Sequence, residues 1–127
     1  MPVLVDSSVW ISYFRNGKYS DVLDYFIDEN LIVINDLILS ELIPSLKIHN
    51  KLKLIRTLKE IEKLPININW EGIIKLQTKC LKNGICGIGI PDFIIAQNAI
   101  ENKSQIFTND KHFLLLQEIS KLKVYPH

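Results

Sequence analysis

The chain is poor in the features that mark specialised proteins. It has two cysteines, one methionine, five glycines and five prolines in 127 residues. No uncharged apolar run approaches the roughly 18 residues that suggest a membrane helix, so a soluble, cytoplasmic protein with no membrane partner is expected. Met1-Pro2-Val3-Leu4-Val5-Asp6 has no basic segment and no small-residue cleavage site, which argues against secretion. Cys80 and Cys86 have no second pair and no histidine nearby. They are too few for a zinc site and are expected as reduced, partly buried thiols. Charge of either sign is not in excess: 15 Lys+Arg face 14 Asp+Glu, a net +1. Taken at face value, that argues against a nucleic-acid partner. Low-complexity tracts, repeats and linkers are also missing, so one domain over residues 1–127 is expected.

What remains is an ordinary globular composition, 47% hydrophobic, long enough to bury a core without disulfides. Short β-branched runs alternate with longer helical patterns. Residues 3–5, 31–34, 106–107 and 123–125 read as strands, and 65–68 as another that starts at a proline. Helical spacing covers 8–14, 20–28, 37–46, 50–64, 70–81, 91–102 and 110–119. Asn16-Gly17 stops the first of these. This alternation predicts an α/β fold: a three-layer α/β/α sandwich around a mostly parallel sheet. In such sheets the functional crevice lies at the carboxyl ends of the strands.

Four acids deserve weight by position. Asp6 follows the first strand, and Asp110 follows 106–107 across Thr108-Asn109. Either could simply cap a helix. Glu41 lies in Leu37-Ile38-Leu39-Ser40-Glu41-Leu42-Ile43, the most apolar helical stretch, where a carboxylate needs a cation, a cleft or a basic partner. Asp92 shares a helix face with Ala96 and Ala99, the chain's only alanines, which let that helix approach the sheet. No Lys or Arg is immediately beside Asp6, Glu41 or Asp92. Four converging acids need compensation, and Mg2+ or Mn2+ favours oxygen ligands. The natural work of such a site is phosphoryl chemistry. The histidines, His49, His112 and His127, show no ligand spacing in the sequence, so zinc is disfavoured.

In order along the chain, Asp6-Ser7-Ser8, Glu41 in its apolar helix, Pro91-Asp92-x-x-Ile95-Ala96 and Thr108-x-Asp110-x-x-Phe113 resemble the PIN-domain family. More narrowly, they resemble its VapC-type toxins of toxin–antitoxin pairs. The resemblance spans nearly the whole chain. It implies a Mg2+- or Mn2+-dependent endoribonuclease with Asp6, Glu41, Asp92 and Asp110 as metal-binding, catalytic residues. It also implies Ser7, Ser8 and Thr108 as supports, a homodimer, and an antitoxin partner. Many members carry another acid two residues beyond the Asp110 position. Here that residue is His112, which is left outside the expected ligand set.

RNA must also be held. Arg15, Lys18, Lys47 and Lys51 are the candidate contacts, the last two opening a lysine-rich stretch that could equally be a solvated helix face. The competing function is a non-catalytic RNA-binding or protein-interaction module on the same fold, which would retain RNA without cutting it. If the four acids occupy one pocket, ten acids remain against 15 bases. The near-neutral total then averages a basic body and an acidic hole, and no longer counts against RNA.

Overall fold

The computed structural model describes residues 2–15 and 17–126. Among these residues the order is β1 (Val3–Val5), α1 (Ser7–Phe14), α2 (Ser20–Asp28), β2 (Ile32–Val33), α3 (Asp36–Ile48), α4 (Leu52–Glu60), α5 (Trp70–Lys82), α6 (Ile90–Glu101), β3 (Gln105–Phe107) and α7 (Lys111–Ile119). The strands form one parallel sheet, order β2-β1-β3, with Leu4 opposite both Val33 and Ile106. β1 is Val-Leu-Val without alternation because helices cover both faces of a central parallel strand, and all three residues are buried. The expected α/β sandwich with a parallel sheet is therefore present. None of the described helices is long and apolar enough to cross a membrane.

α6 approaches the sheet as its alanines predict: Ala96 and Ala99 are fully buried, and the helix packs on β3. Gly17 closes α1, its N–H donating to the Ser12 carbonyl at 2.8 Å. A Cβ there would collide with Ser12, so only glycine permits this approach. Asn16, the other expected stop residue, lies outside the described residues. Both thiols are free, but only Cys80 is buried; Cys86 is exposed.

Two expectations fail at the sheet edges. Residues 65–68 form no strand. Pairing on that side occurs earlier, as a single parallel bridge between Ile34 and Lys63. The helix expected to run to residue 64 ends at Glu60, and Ile61 is extended (φ −69°, ψ 141°). The reason is local: Leu64 precedes Pro65, whose ring disfavours helix before it and whose nitrogen cannot donate to a ladder. The strand expected at 123–125 shrinks to one bridge, Ile106 with Val124.

Candidate active site

The sheet places the first and last acids. β1 ends at Val5, and the Asp6 N–H continues the ladder by donating to the Phe107 carbonyl at 2.9 Å. β3 ends at Phe107, so Thr108, Asn109 and Asp110 emerge beside Asp6. Asp110 is the N-cap of α7, its Oδ1 accepting from the His112 N–H at 2.9 Å. Asp92 enters in the first turn of α6, where the helix dipole favours an anion. Glu41 comes from α3, whose start is fixed by Asn35.

A hydrogen-bond lattice locks the strand ends together. Asp6 is 5% exposed, and its Oδ2 accepts from Ser8 Oγ at 2.8 Å and from Thr108 Oγ1 at 2.9 Å. Thr108 Oγ1 in turn accepts from the Asp110 N–H at 2.9 Å, and Ser8 Oγ from the Asn109 N–H at 3.1 Å. Each hydroxyl thus donates to Asp6 and accepts from a backbone N–H that follows β3. Tyr19 Oη steadies Asn109 with a 2.7 Å bond to its Oδ1. The two serines divide their roles: Ser8 hydrogen-bonds Asp6, whereas Ser7 acts on Glu41 and favours its charged form.

The four acids are linked electrostatically through Asp92 and Glu41. Asp92 is pushed above the usual carboxylate range first by burial, then by Asp110 and Asp6, while His112 pulls it down. Glu41 is pushed up by partial burial, then by Asp6 and Asp92, against the Ser7 hydrogen bond. Glu41 is exposed at the cleft mouth, not sealed in the apolar stripe of α3. The compensation that its helix demanded is solvent access. Among the described residues the only Lys or Arg ion pair is Lys63–Asp36, which includes none of the four acids.

His112, which the sequence pattern leaves outside the ligand set, lies beside two of the acids. Its Nδ1 lies 3.4 Å from Asp92 Oδ2 and 3.5 Å from Asp110 Oδ1. One ligand atom each from Asp92, Asp110 and His112 fall within 4.8 Å of one another, the only such trio among the described residues. The expectation that no histidine joins the acids is corrected here. The signal was available: His112 follows an N-cap by two residues, so the first turn of α7 carries it back over Asp110.

The repulsion has a measurable consequence. Raised carboxyl pKa values mean that the folded state binds protons more tightly than the unfolded one, so this contribution destabilises at neutral pH and is relieved as pH falls. Asp92→Asn is expected to stabilise the protein in EDTA at pH 7 by about 1 kcal/mol, a rise of a few degrees in Tm. A thermal melt in EDTA that drops instead contradicts a strained acid cluster.

Beside Glu41 a cleft of about 310 Å³ opens between α1 and α3. Arg15, His49 and Lys51 line it together with Phe14 and Ile11. Two of the expected RNA contacts, Arg15 and Lys51, therefore share a cavity with a site acid. Lys18 lies instead over the Tyr19 ring, 5.6 Å from its centroid, and Lys47 is exposed in the last turn of α3 outside the cleft lining. Trp10 is buried and stacks on Phe14, so it is core.

A parallel α/β sandwich with carboxylates gathered at the strand ends defines a class of acidic-cleft domain. The family model for the PIN domain matches residues 3–119, and the chain belongs to the PIN-domain family. A search of curated protein sequences finds no match. Among solved structures, the chain is similar to a chain of VapBC2 from Rickettsia felis bound to a promoter DNA fragment (TM-score 0.78, 22% identity, 98% of each chain covered). It is also similar to chains in DNA-bound VapBC from Salmonella typhimurium (TM-score 0.75, 16% identity, 98% and 97% covered) and FitAcB from Neisseria gonorrhoeae (TM-score 0.68, 16% identity, 98% and 96% covered).

Proposed function

We propose that this chain is a divalent-metal-dependent endoribonuclease and the toxin of a toxin–antitoxin pair. One observation carries the reading: Glu41 feels the charges of Asp6 and Asp92, and Asp92 those of Asp110 and Asp6, with no Lys or Arg ion pair to any of the four among the described residues. Membership of the PIN family and likeness to chains of VapBC and FitAcB complexes support it.

The residues fit a hard divalent cation. They offer carboxylate oxygens at the strand ends and an acid pair with raised pKa values. Asp6, Asp92 and Asp110 would hold Mg2+ or Mn2+. When bound, the ion supplies positive charge that offsets the phosphodiester's and polarises water. Glu41, which lines the adjoining cleft, would orient the attacking water. Ser8 and Thr108 keep Asp6 in one rotamer, and Asp110 is held by its cap. Arg15 and Lys51 bind backbone phosphates in the adjoining cleft, with Lys18 and Lys47 as outer contacts.

A cytoplasmic location and a cognate antitoxin belong to this reading, as does a homodimer. Trp70, Ile74 and Leu81 stand exposed along α5, an apolar stripe of the kind that association covers.

The test is RNA cleavage by the pure protein with Mg2+ or Mn2+, with product ends mapped. Activity undiminished in EDTA refutes metal dependence. RNA retention without any cleavage favours the binding-module alternative. Removing a phosphate contact should weaken RNA binding without changing which bond is cut. Arg15→Ala and Lys51→Ala are each expected to lower the salt dependence of affinity by about 0.7 in log–log slope for single-stranded RNA. Slopes equal to wild type would place the RNA elsewhere.

A further inference from the structure

We infer that His112 Nδ1 is a metal ligand in this chain, and that this nitrogen donor biases the site toward Mn2+ over Mg2+. The inference rests on the metal-dependent reading above and goes beyond it. It adds a donor that the sequence pattern excluded and chooses between the two ions.

The geometry around Nδ1 is the first argument. Its contacts with Asp92 Oδ2 and Asp110 Oδ1, 3.4 and 3.5 Å, exceed the 2.7–2.9 Å typical of a charge-assisted N–H···O bond. A histidinium placed there only to neutralise the two acids would close those gaps. Two neighbouring ligand atoms on one ion, each about 2.1 Å from it, lie about 3 Å apart. The observed separations are within about half an ångström of that spacing. One ligand atom from each carboxylate and the ring nitrogen lie within 4.8 Å of one another, close enough to share one ion.

The second argument is the state of the nitrogen. Nδ1 is sealed from water and makes no hydrogen bond. Buried ring nitrogens are normally satisfied, and an orphan calls for an unseen partner. The ring as a whole is 28% exposed, so Nε2 can carry the proton while Nδ1 stays free to accept. The backbone fixes this pose: the His112 N–H donates to Asp110 Oδ1, tying the ring's own residue to the neighbouring ligand.

Donor chemistry then selects the ion. Mg2+ takes oxygen and sheds its waters reluctantly, whereas imidazole suits later first-row ions. A neutral imidazole in place of a carboxylate also removes one negative charge, which weakens the attraction for either ion equally. Only a transition ion recovers the loss through the nitrogen bond. The ratio of affinities therefore moves toward Mn2+.

The experiment is pulsed EPR on the full chain loaded with Mn2+, paired with Mn2+ and Mg2+ titrations. Wild type is expected to show ¹⁴N coupling to bound Mn2+. His112→Asp should lose the coupling, and its Mn2+/Mg2+ affinity ratio should fall at least tenfold. His49→Ala serves as the control, since His49 lines the neighbouring cleft, and it should keep the coupling. Bound Mn2+ without ¹⁴N coupling in wild type, or coupling that survives in His112→Asp, overturns the inference and leaves the metal-dependent reading standing. Failure of wild type to bind either ion overturns both. The wild-type spectrum needs no variant to fold.

Discussion

Asp6→Asn is expected to lower RNA cleavage by about 10²–10³-fold, the scale of losing one preorganised electrostatic group, while the protein stays folded. Asp6 is 5% exposed and fixed by two hydroxyl donors on Oδ2. An asparagine can keep both bonds by turning its carbonyl oxygen to Ser8 and Thr108. Its amide nitrogen then faces the cleft where a carboxylate oxygen had been. Shape and lattice survive, and the anionic oxygen is lost. Cleavage and melting temperature should therefore separate: activity collapses, and Tm stays within a few degrees of wild type. Cleavage by Asp6→Asn at the wild-type rate would sink the proposed site. A large fall in Tm would instead show that the lattice needs the charge. Thr108→Val removes a donor to Asp6 and an acceptor for the Asp110 N–H together, so it should reduce activity without touching an acid.

The residues most legible in the sequence are those whose role follows from one strand. Asp6 directly follows a predicted strand and Asp110 comes three residues after another, and a parallel sheet puts such positions on one edge whatever the details of packing. Asp92 was legible through its alanines, since a helix carrying Ala96 and Ala99 on one face has to lie close to the sheet. Glu41 was harder. Its apolar neighbours implied burial, but the turn of α3 that carries it opens on the cleft, and helical periodicity alone does not say where a neighbouring helix ends. The place of His112 is not legible along the chain: it stands where relatives often carry an acid, and its neighbour Asp92 is 20 residues away on another helix. The lattice of Ser8, Thr108 and Asn109 was only half visible. The residue types suggested support, but which hydroxyl meets which carboxylate depends on sheet register.

The strand expected at residues 65–68 is absent for a reason with its own consequence. The segment expected as a strand at residues 65–68 is held by side chains, not by a ladder. Asn35, fully buried, caps α3 through Oδ1 to the Ile38 N–H at 2.8 Å and donates from Nδ2 to Asn98 Oδ1 at 2.9 Å. Asn98, 2% exposed on α6, passes the chain on by donating to the Pro65 carbonyl at 2.9 Å. The two asparagines thus join the helix that carries Glu41, the helix that carries Asp92 and the linker between α4 and α5. Asn35→Leu is expected to cost about 3 kcal/mol. A lost N-cap contributes roughly 1, and the Asn98 oxygen left unpaired in the core contributes most of the rest. For a domain of this size that is a drop of about 10 °C in Tm. Asn35→Asp keeps the cap oxygen but turns the donor to Asn98 into a second acceptor, so it should destabilise too, despite restoring a good capping residue. A melt of Asn35→Leu within about 2 °C of wild type would show that the bridge contributes little. If Asn35→Asp melts like wild type while Asn35→Leu does not, capping alone explains the loss. The expected pattern, with both variants falling, means that the angle between α3 and α6, and with it the spacing of Glu41 from Asp92, is set by a polar contact buried in the core.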